Sequence, residues 1–247
     1  MRIAELYRSR QGEGLLTGTD SVFVRASGCN LRCWFCDTPY TSWEPEGEDW
    51  SVEEVLAEVE KTRYSTLPKQ LGEPGRPEAY PTIGHVVITG GEPMLFAELL
   101  PLCDRLKAAG LHITIETAGT LLLPVQCDLM SISPKLASST PSIDLAGRWA
   151  ARHERSRHEP DVIRQLIANY DYQLKFVIDT PADLIEVDRW LAEFPQARHD
   201  RVLLMPQGID SDSLDDIQQW LEPYCRKQGF TFCPRKHIEW YGSRRRT

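Results

Sequence analysis

Residues 28–38 read GCNLRCWFCDT and set Cys29, Cys33 and Cys36 in the spacing C-x3-C-x2-C, directly after a predicted strand, SVFVRA (21–26). Three of the seven cysteines fall within eight residues, while Cys103, Cys127, Cys225 and Cys233 are scattered. A loop this short brings three thiolates toward one place, as metal or iron–sulfur ligation requires. Two occupants are open. A structural zinc ion needs a fourth ligand in tetrahedral geometry, and after Cys36 no His or Cys occurs before His85. A four-iron cluster held by three cysteines keeps one iron open, and an open metal position marks a catalytic site rather than a structural one. Asn30, Arg32 and Asp37 make the loop polar, which argues against three coincidental core cysteines.

Outward from the loop, short β-branched runs alternate with segments of helical period, the pattern of βα units on a parallel sheet. Further strand candidates are 85–89, 112–117, 129–133, 173–178 and 201–205. Helix candidates are 51–61, 94–110, 161–170, 182–194 and 213–229, the first opened by a Ser51 and Glu54 capping box. Pro101 and Pro223 are expected to kink or shorten their helices, and Gly110 and Gly229 to stop them. Two stretches break the pattern: proline-rich 63–84, read as a surface excursion, and 136–160, read as an irregular insertion. The expectation is one domain over 1–247 with an α/β fold, its six strands too few for a closed eightfold barrel.

The 247 residues suffice for a core without staples. With 28 basic and 36 acidic side chains the net charge is −8, which argues against a nucleic-acid partner because such binding rests on neutralising phosphates. The one basic cluster, Arg244, Arg245 and Arg246, reads as a solvated tail. The N-terminal MRIAELYRSRQGEG has charges every few residues and no secretory signal, and no stretch is long enough to span a membrane. The expected location is cytoplasmic, where thiols act as ligands or small core residues. Cys103 and Cys233, in apolar surroundings, read as core residues.

TGGEP (89–93) follows the second predicted strand and, taken alone, is an ordinary βα turn. Ser133, Lys135 and Gln207 sit at the carboxyl ends of strands, where ligands gather in parallel α/β folds. Read without a ligand they are a turn cap, a solvated lysine and a loop residue.

With CNLRCWFC beside this GGE segment, the sequence resembles the radical S-adenosylmethionine (SAM) superfamily. There, three cysteines hold a [4Fe–4S] cluster and SAM chelates the fourth iron. The resemblance implies an incomplete, about six-stranded parallel β/α barrel. It places Phe35 near the adenine, Gly90, Gly91 and Glu92 at the methionyl end, and Asp37, Ser133, Lys135 and Gln207 around the cofactor. RQGEG (10–14), Arg25, Thr38, ETAGT (116–120), SISPK (131–135) and PRKH (234–237) narrow it to a likeness with the 7-carboxy-7-deazaguanine synthase family over nearly the whole chain. The likeness departs at Tyr241, where that family carries a Trp, and in 63–84 and 136–160.

This resemblance implies a lyase that turns 6-carboxy-5,6,7,8-tetrahydropterin into 7-carboxy-7-deazaguanine with loss of ammonia, in queuosine biosynthesis. It further implies Mg²⁺, a homodimer, and an electron donor such as flavodoxin or ferredoxin. A planar pterin carboxylate calls for a guanidinium fork and for acceptors of ring N–H groups. Arg25 is assigned the fork, Gln11, Gly12, Glu13 and Glu116 the ring contacts, Thr89 a hydroxyl contact and His237 the far side. Thr38 is assigned one Mg²⁺ contact among waters. Without a ligand, Arg25 pairs with an acid, Glu116 caps a helix and His237 is a satisfied histidine. Two rivals stand beside this reading. One is a glycyl-radical enzyme activating enzyme, which shares the cysteine spacing and GGE. The other is a non-catalytic zinc-binding interaction module.

Overall fold

The computed structural model describes residues 1–64, 83–242 and 244–246. The expected excursion at 63–84 lies almost wholly outside the described residues. Among the described residues one sheet holds β1 (Arg2–Arg10), β2 (Asp20–Ala26), β3 (Glu48–Asp49), β4 (His85–Gly90), β5 (His112–Thr117), β6 (Leu129–Ile132), β7 (Tyr172–Ile178), β8 (Val202–Pro206) and β9 (Thr231–Phe232). Their order is β3-β1-β2-β4-β5-β6-β7-β8-β9. From β2 through β9 neighbours run parallel, whereas β1 lies antiparallel to β2, and β3 to β1. The six expected strands are the parallel ones from β2 to β8. β1 is an addition, since its frequent charges masked an alternation in which Ile3 and Glu5 are buried and Tyr7 stacks on Phe23 at 5.3 Å.

The pleat of the parallel strands separates two chemistries. Val22, Val24, Ile88, Ile115, Ile132 and Phe176 are buried in one apolar cluster with helix residues such as Val55, Leu102, Leu166 and Val187. The alternate positions, among them Phe23, Arg25, Thr89, Glu116, Ser131 and Lys175, line a cavity. The sheet also curls. Leu15 N–H donates to Gln173 Oε1 of β7 at 2.8 Å, Gly14 N–H to Cys233 Sγ at 3.1 Å, and Lys236 N–H to the Gly12 carbonyl at 3.0 Å. A flat sheet would hold β1 and β7 about 24 Å apart, more than the roughly 18 Å that residues 11–15 reach when fully extended. The result is the incomplete parallel β/α barrel expected from the sequence.

The helices are α1 (Pro39–Ser42), α2 (Val52–Arg63), α3 (Leu99–Ala108), α4 (Ile143–Ala146), α5 (Arg148–Ser156), α6 (Pro160–Asn169), α7 (Pro181–Glu193), α8 (Ser211–Gln228) and α9 (Lys236–Tyr241). The capping box of α2 is formed, with Glu54 N–H donating to Ser51 Oγ at 3.2 Å and Ser51 N–H to Glu54 Oε2 at 2.7 Å. Pro101 falls in the first turn of α3, which begins at Leu99 rather than at 94. Pro223 does not shorten α8, which runs through it to Gln228, anchored by buried Leu221 and Cys225. Gly110 and Gly229 end their helices with positive φ. Residues 136–160 are not irregular: they hold α4, α5 and a short 3₁₀ turn, Ala137–Ser139. Charges dominate α5, and its inward face is narrow, with Ala150 and His153 buried.

Two buried histidines make stability acid-sensitive. His85 lies 2.8 Å from both Ser21 Oγ and Thr114 Oγ1. His153 Nδ1 accepts the Arg32 N–H at 3.0 Å, and its Nε2 lies 2.9 Å from Ser139 Oγ. Burial, reinforced by His112 and Arg157 respectively, lowers both to about 4. Unfolded histidines titrate near 6.5, so as pH falls from there the unfolded chain takes up protons that the native state refuses. Stability therefore drops until about pH 4, where the native imidazoles also protonate, by on the order of 3 kcal/mol per site. Urea unfolding midpoints between pH 7.5 and 4.5 measure the loss, and a flat profile refutes it.

Candidate active site

The loop leaving β2 is pinned from several elements. Gly28 N–H donates to the Thr41 carbonyl at 2.8 Å, Trp43 Nε1–H to the Cys33 carbonyl at 3.1 Å, and Trp34 N–H to the Ser139 carbonyl at 3.2 Å. Arg32 folds back and donates through Nη1 to the Cys29 and Leu31 carbonyls at 2.8 and 2.7 Å. Cys29, Cys33 and Cys36 thereby line the cavity, whose volume is about 710 Å³. Burial pushes the Cys29 and Cys33 thiols up to about 12, so iron, rather than the pocket, has to stabilise the thiolates. Among the described residues no three His, Cys, Asp or Glu side chains converge closely enough to hold one metal ion. Thiols that each bind a different iron of a cubane need no such convergence. The donor set fits a three-cysteine cluster and does not fit a structural zinc.

The GGE turn does something other than the sequence suggests. Gly90 has φ +124°, and a Cβ there would stand 2.0 Å from the Ala26 carbonyl oxygen. A Cβ on Gly91 would stand 2.0 Å from that of Gly28. The close backbone approach is thus to the root of the cysteine loop, where Gly91 N–H donates to Ala26 and Glu92 N–H to Gly28. Glu92 does not line the cavity. It is fully buried, and its carboxylate accepts from the Met94 and Ala118 N–H groups and from Thr117 Oγ1 at 2.9–3.1 Å. Burial raises its pKa. A capping position at the start of the 3₁₀ turn Pro93–Leu95 accounts for this placement.

Arg25 lines the cavity from the end of β2. It donates through Nη2 to Tyr7 Oη at 2.8 Å and through Nε to Glu5 Oε2 at 3.3 Å. Glu5, with a fully buried side chain, also accepts from Tyr40 Oη at 3.1 Å and Arg245 Nε at 2.8 Å. Nη1 of Arg25 has no protein partner among the described residues, so the fork keeps a free donor at the cavity. Glu116, on β5, accepts from Gln11 Nε2 at 3.1 Å and from Thr89 Oγ1 at 2.7 Å. Each carboxylate oxygen keeps a lone pair for a ligand N–H.

Glu13 is committed to protein partners rather than free for a ligand. Its Oε2 lies 2.5 Å from Lys175 Nζ, and its Oε1 lies 3.3 Å from Arg235 Nε and 3.6 Å from His237 Nδ1. Burial opposes its ionisation, but Lys175, Arg235 and His237 outweigh it and hold the carboxyl well below the usual range. Arg235 also pairs with Asp37 and donates to the Gly208 carbonyl at 2.5 Å. Gly12 fits here because a Cβ would meet His237 at 2.6 Å. Neutralising Glu13 strips the buried Lys175 of its carboxylate partner and leaves Arg235 with Asp37 alone. Glu13→Gln is expected to cost about 3–5 kcal/mol of unfolding free energy, checked by chemical denaturation at pH 7; a loss below about 1 kcal/mol rejects the cluster's structural role.

Every site residue named from the sequence lines this cavity except Glu92. Ser133 and Lys135 lie together, with Lys135 Nζ 2.8 Å from Ser133 Oγ, and Phe35 and Gln207 are also in the lining. Thr38 lines it too, its Oγ1 accepting from Thr41 Oγ1 at 3.3 Å. Sequence reasoning missed Glu5, Tyr7, Tyr40, Lys175 and Arg235. Lys175 could have been found, since a lysine inside an apolar parallel strand must be paired. The tail is not simply solvated: Arg244, Arg245 and Arg246 line the cavity, and Arg245 lies over the Tyr40 ring at 3.6 Å and pairs with Glu46 at 3.1 Å.

Comparison with known proteins agrees with this geometry. Residues 23–146 match the family model of the radical SAM superfamily. The chain is 45% identical over 246 residues to the 7-carboxy-7-deazaguanine synthase of Rhodopirellula baltica, covering 99% of this chain and 88% of that protein. It is 43% identical over 245 residues to the enzyme of the same name from Halobacterium salinarum, covering 96% and 88%. In fold it is similar to the crystal structure of QueE from Escherichia coli, with a TM-score of 0.67 and 23% identity over 96% of this chain and 94% of that one. With the cysteine loop, the Arg25 fork and the Gln11, Thr89 and Glu116 array in one cavity, the chain belongs to the 7-carboxy-7-deazaguanine synthase family of the radical SAM superfamily.

Proposed function

We propose that this chain converts 6-carboxy-5,6,7,8-tetrahydropterin to 7-carboxy-7-deazaguanine with release of ammonia, in queuosine biosynthesis. The observation that carries the reading is one cavity lined both by three cysteines and by a set of donors and acceptors suited to a planar, carboxylated heterocycle. A glycyl-radical activating role has no use for that polar array.

When bound, the cluster and SAM supply the radical hydrogen-atom chemistry. The chain's part is to hold and orient. Cys29, Cys33 and Cys36 would hold the cluster, on a loop fixed by Trp43, His153 and the Gly90–Gly91 turn. Phe35, Asp37, Ser133, Lys135 and Gln207 would border the cofactor, with Asp37 paired to Arg235. Arg25, oriented by Glu5 and Tyr7, receives the substrate carboxylate. Glu116, oriented by Gln11 and Thr89, receives ring N–H groups. Charge-assisted bonds in a low-dielectric pocket fix the substrate's register better than water-exposed ones.

Thr38 is the Mg²⁺ contact in this reading. Thr38→Ala is expected to raise the Mg²⁺ concentration for half-maximal activity at least tenfold, and equal dependence in both proteins removes the assignment. A homodimer and a cytoplasmic location go with the proposal; light scattering tests the first. Among the described residues no helix is long and apolar enough to cross a membrane. The decisive assay is anaerobic incubation with SAM, dithionite and the carboxypterin. Mass analysis should find the ring-contracted acid, and its absence from cluster-loaded protein refutes the function.

A further inference from the structure

We propose that Arg235 is a positioning residue that couples the binding of SAM to the binding of the carboxypterin. The inference rests on the reaction proposed above and deepens it: two reactants must be held in one mutual geometry for chemistry to be fast, and Arg235 is the side chain that ties their two sets of contacts together.

Three observations converge. The Arg235 side chain is only 6% exposed, and each of its guanidinium nitrogens has a protein partner on a different part of the chain. Nε donates to Glu13 Oε1 at 3.3 Å, Nη1 to the Gly208 carbonyl at 2.5 Å, and Nη2 to Asp37 Oδ2. The fork thereby joins the loop after β1, the residue that follows Cys36, and the turn after β8 that carries Gln207. A planar guanidinium serves three such directions at once, whereas an ammonium is a single point of charge.

The two carboxylates it holds serve different ligands in the proposed reaction. Asp37 lines the cavity beside Cys36, among the residues assigned to the cofactor. Glu13 belongs to the substrate side. Its N–H donates to Gln11 Oε1 at 3.3 Å, and Gln11 Nε2 donates to Glu116 Oε1 at 3.1 Å, so the loop bonded to Arg235 is bonded in turn to the acceptor of ring N–H groups. His237, two residues beyond Arg235 and on α9, stands 3.6 Å from the same Glu13 oxygen.

The two carboxylates are also held unequally. Glu13 has Lys175 as a second close cation, whereas Asp37, half-exposed at 51%, pairs with no cation but Arg235 among the described residues. Ordering an exposed side chain costs free energy on binding. Whichever ligand binds first settles the Glu13–Arg235–Asp37 chain, and the second then meets a site already ordered. The effect is reciprocal by linkage.

The test is anaerobic calorimetry of SAM binding to cluster-loaded, unreduced protein, with and without saturating carboxypterin, so that no turnover enters the measurement. In wild type the pterin is expected to tighten SAM at least fivefold, and SAM to tighten the pterin by the same factor. In Arg235→Lys the factor is expected to fall below twofold. Asp37→Asn, which leaves Arg235 paired with Glu13, is expected to do the same and serves if loss of the fork impairs folding. A merely structural role lowers stability and weakens each ligand by itself, but leaves the ratio of affinities as in wild type. A ratio of one in wild type, or the wild-type ratio retained in either folded variant, overturns the coupling. If wild-type protein binds SAM but no carboxypterin, the proposed reaction fails together with it, whereas turnover of the pterin with a ratio of one overturns the coupling alone.

Discussion

Cys33→Ala is expected to yield folded protein with no [4Fe–4S] cluster and no detectable turnover, a loss of at least three orders of magnitude. Cys33 is buried in the cavity wall, and its carbonyl is held by Trp43 Nε1–H at 3.1 Å, a bond that alanine keeps. The loop's backbone therefore survives the change, and the stability cost stays near the ordinary value of about 1 kcal/mol. The cluster does not survive, because two thiolates cannot hold a cubane that three hold with one iron already open. Iron analysis after anaerobic reconstitution decides it: about four irons per wild-type chain against essentially none in the variant. Retained iron and colour in Cys33→Ala would falsify the ligand assignment.

Arg25→Ala is expected to raise KM for the carboxypterin about 100-fold, the loss of roughly 3 kcal/mol from a charge-assisted bond in a buried site. SAM binding is expected to stay unchanged, since the partners of Arg25 are Glu5 and Tyr7 of β1 rather than the cysteine loop. The deletion also leaves the buried Glu5 carboxylate with Tyr40, Arg245 and the more distant Arg246, so a parallel fall in stability accompanies it. Arg25→Lys separates the two effects. A lysine keeps the charge beside Glu5 and preserves folding, but lacks the fork, so its KM lies between those of wild type and Arg25→Ala. A KM within threefold of wild type in both variants removes Arg25 from the substrate site.

Much of this was legible in the chain because the signals were local. The cysteine spacing, the strand runs and the capping box at Ser51 each depend on residues within about ten positions. The misreadings share a cause as well. β1 was hidden because Glu5 and Arg8 are buried charges, and only partners distant in sequence, such as Arg25 and Arg245 for Glu5, make that burial tolerable. The motif at Glu92 is legible in consecutive residues, whereas its hydrogen bonds to Thr117 and Ala118 are not. Residues 136–160 looked irregular because α5 carries its function on a narrow inward face whose partner, Arg32, lies 121 positions from His153.

The amino-acid sequence by itself determined the class of fold, the parallel strands and the three-cysteine loop, because period-two burial and short-range spacing are written in consecutive residues. Only the tertiary structure decided which polar side chains serve each other and which face the cavity. Lys175 and Glu13 are 162 positions apart and Arg235 and Asp37 198 apart, yet they meet because the curled sheet carries the loop after β1 across to β7 and to the segment after β9. Charge pairing over such separations depends on where the backbone closes, and closure is a property of the whole sheet.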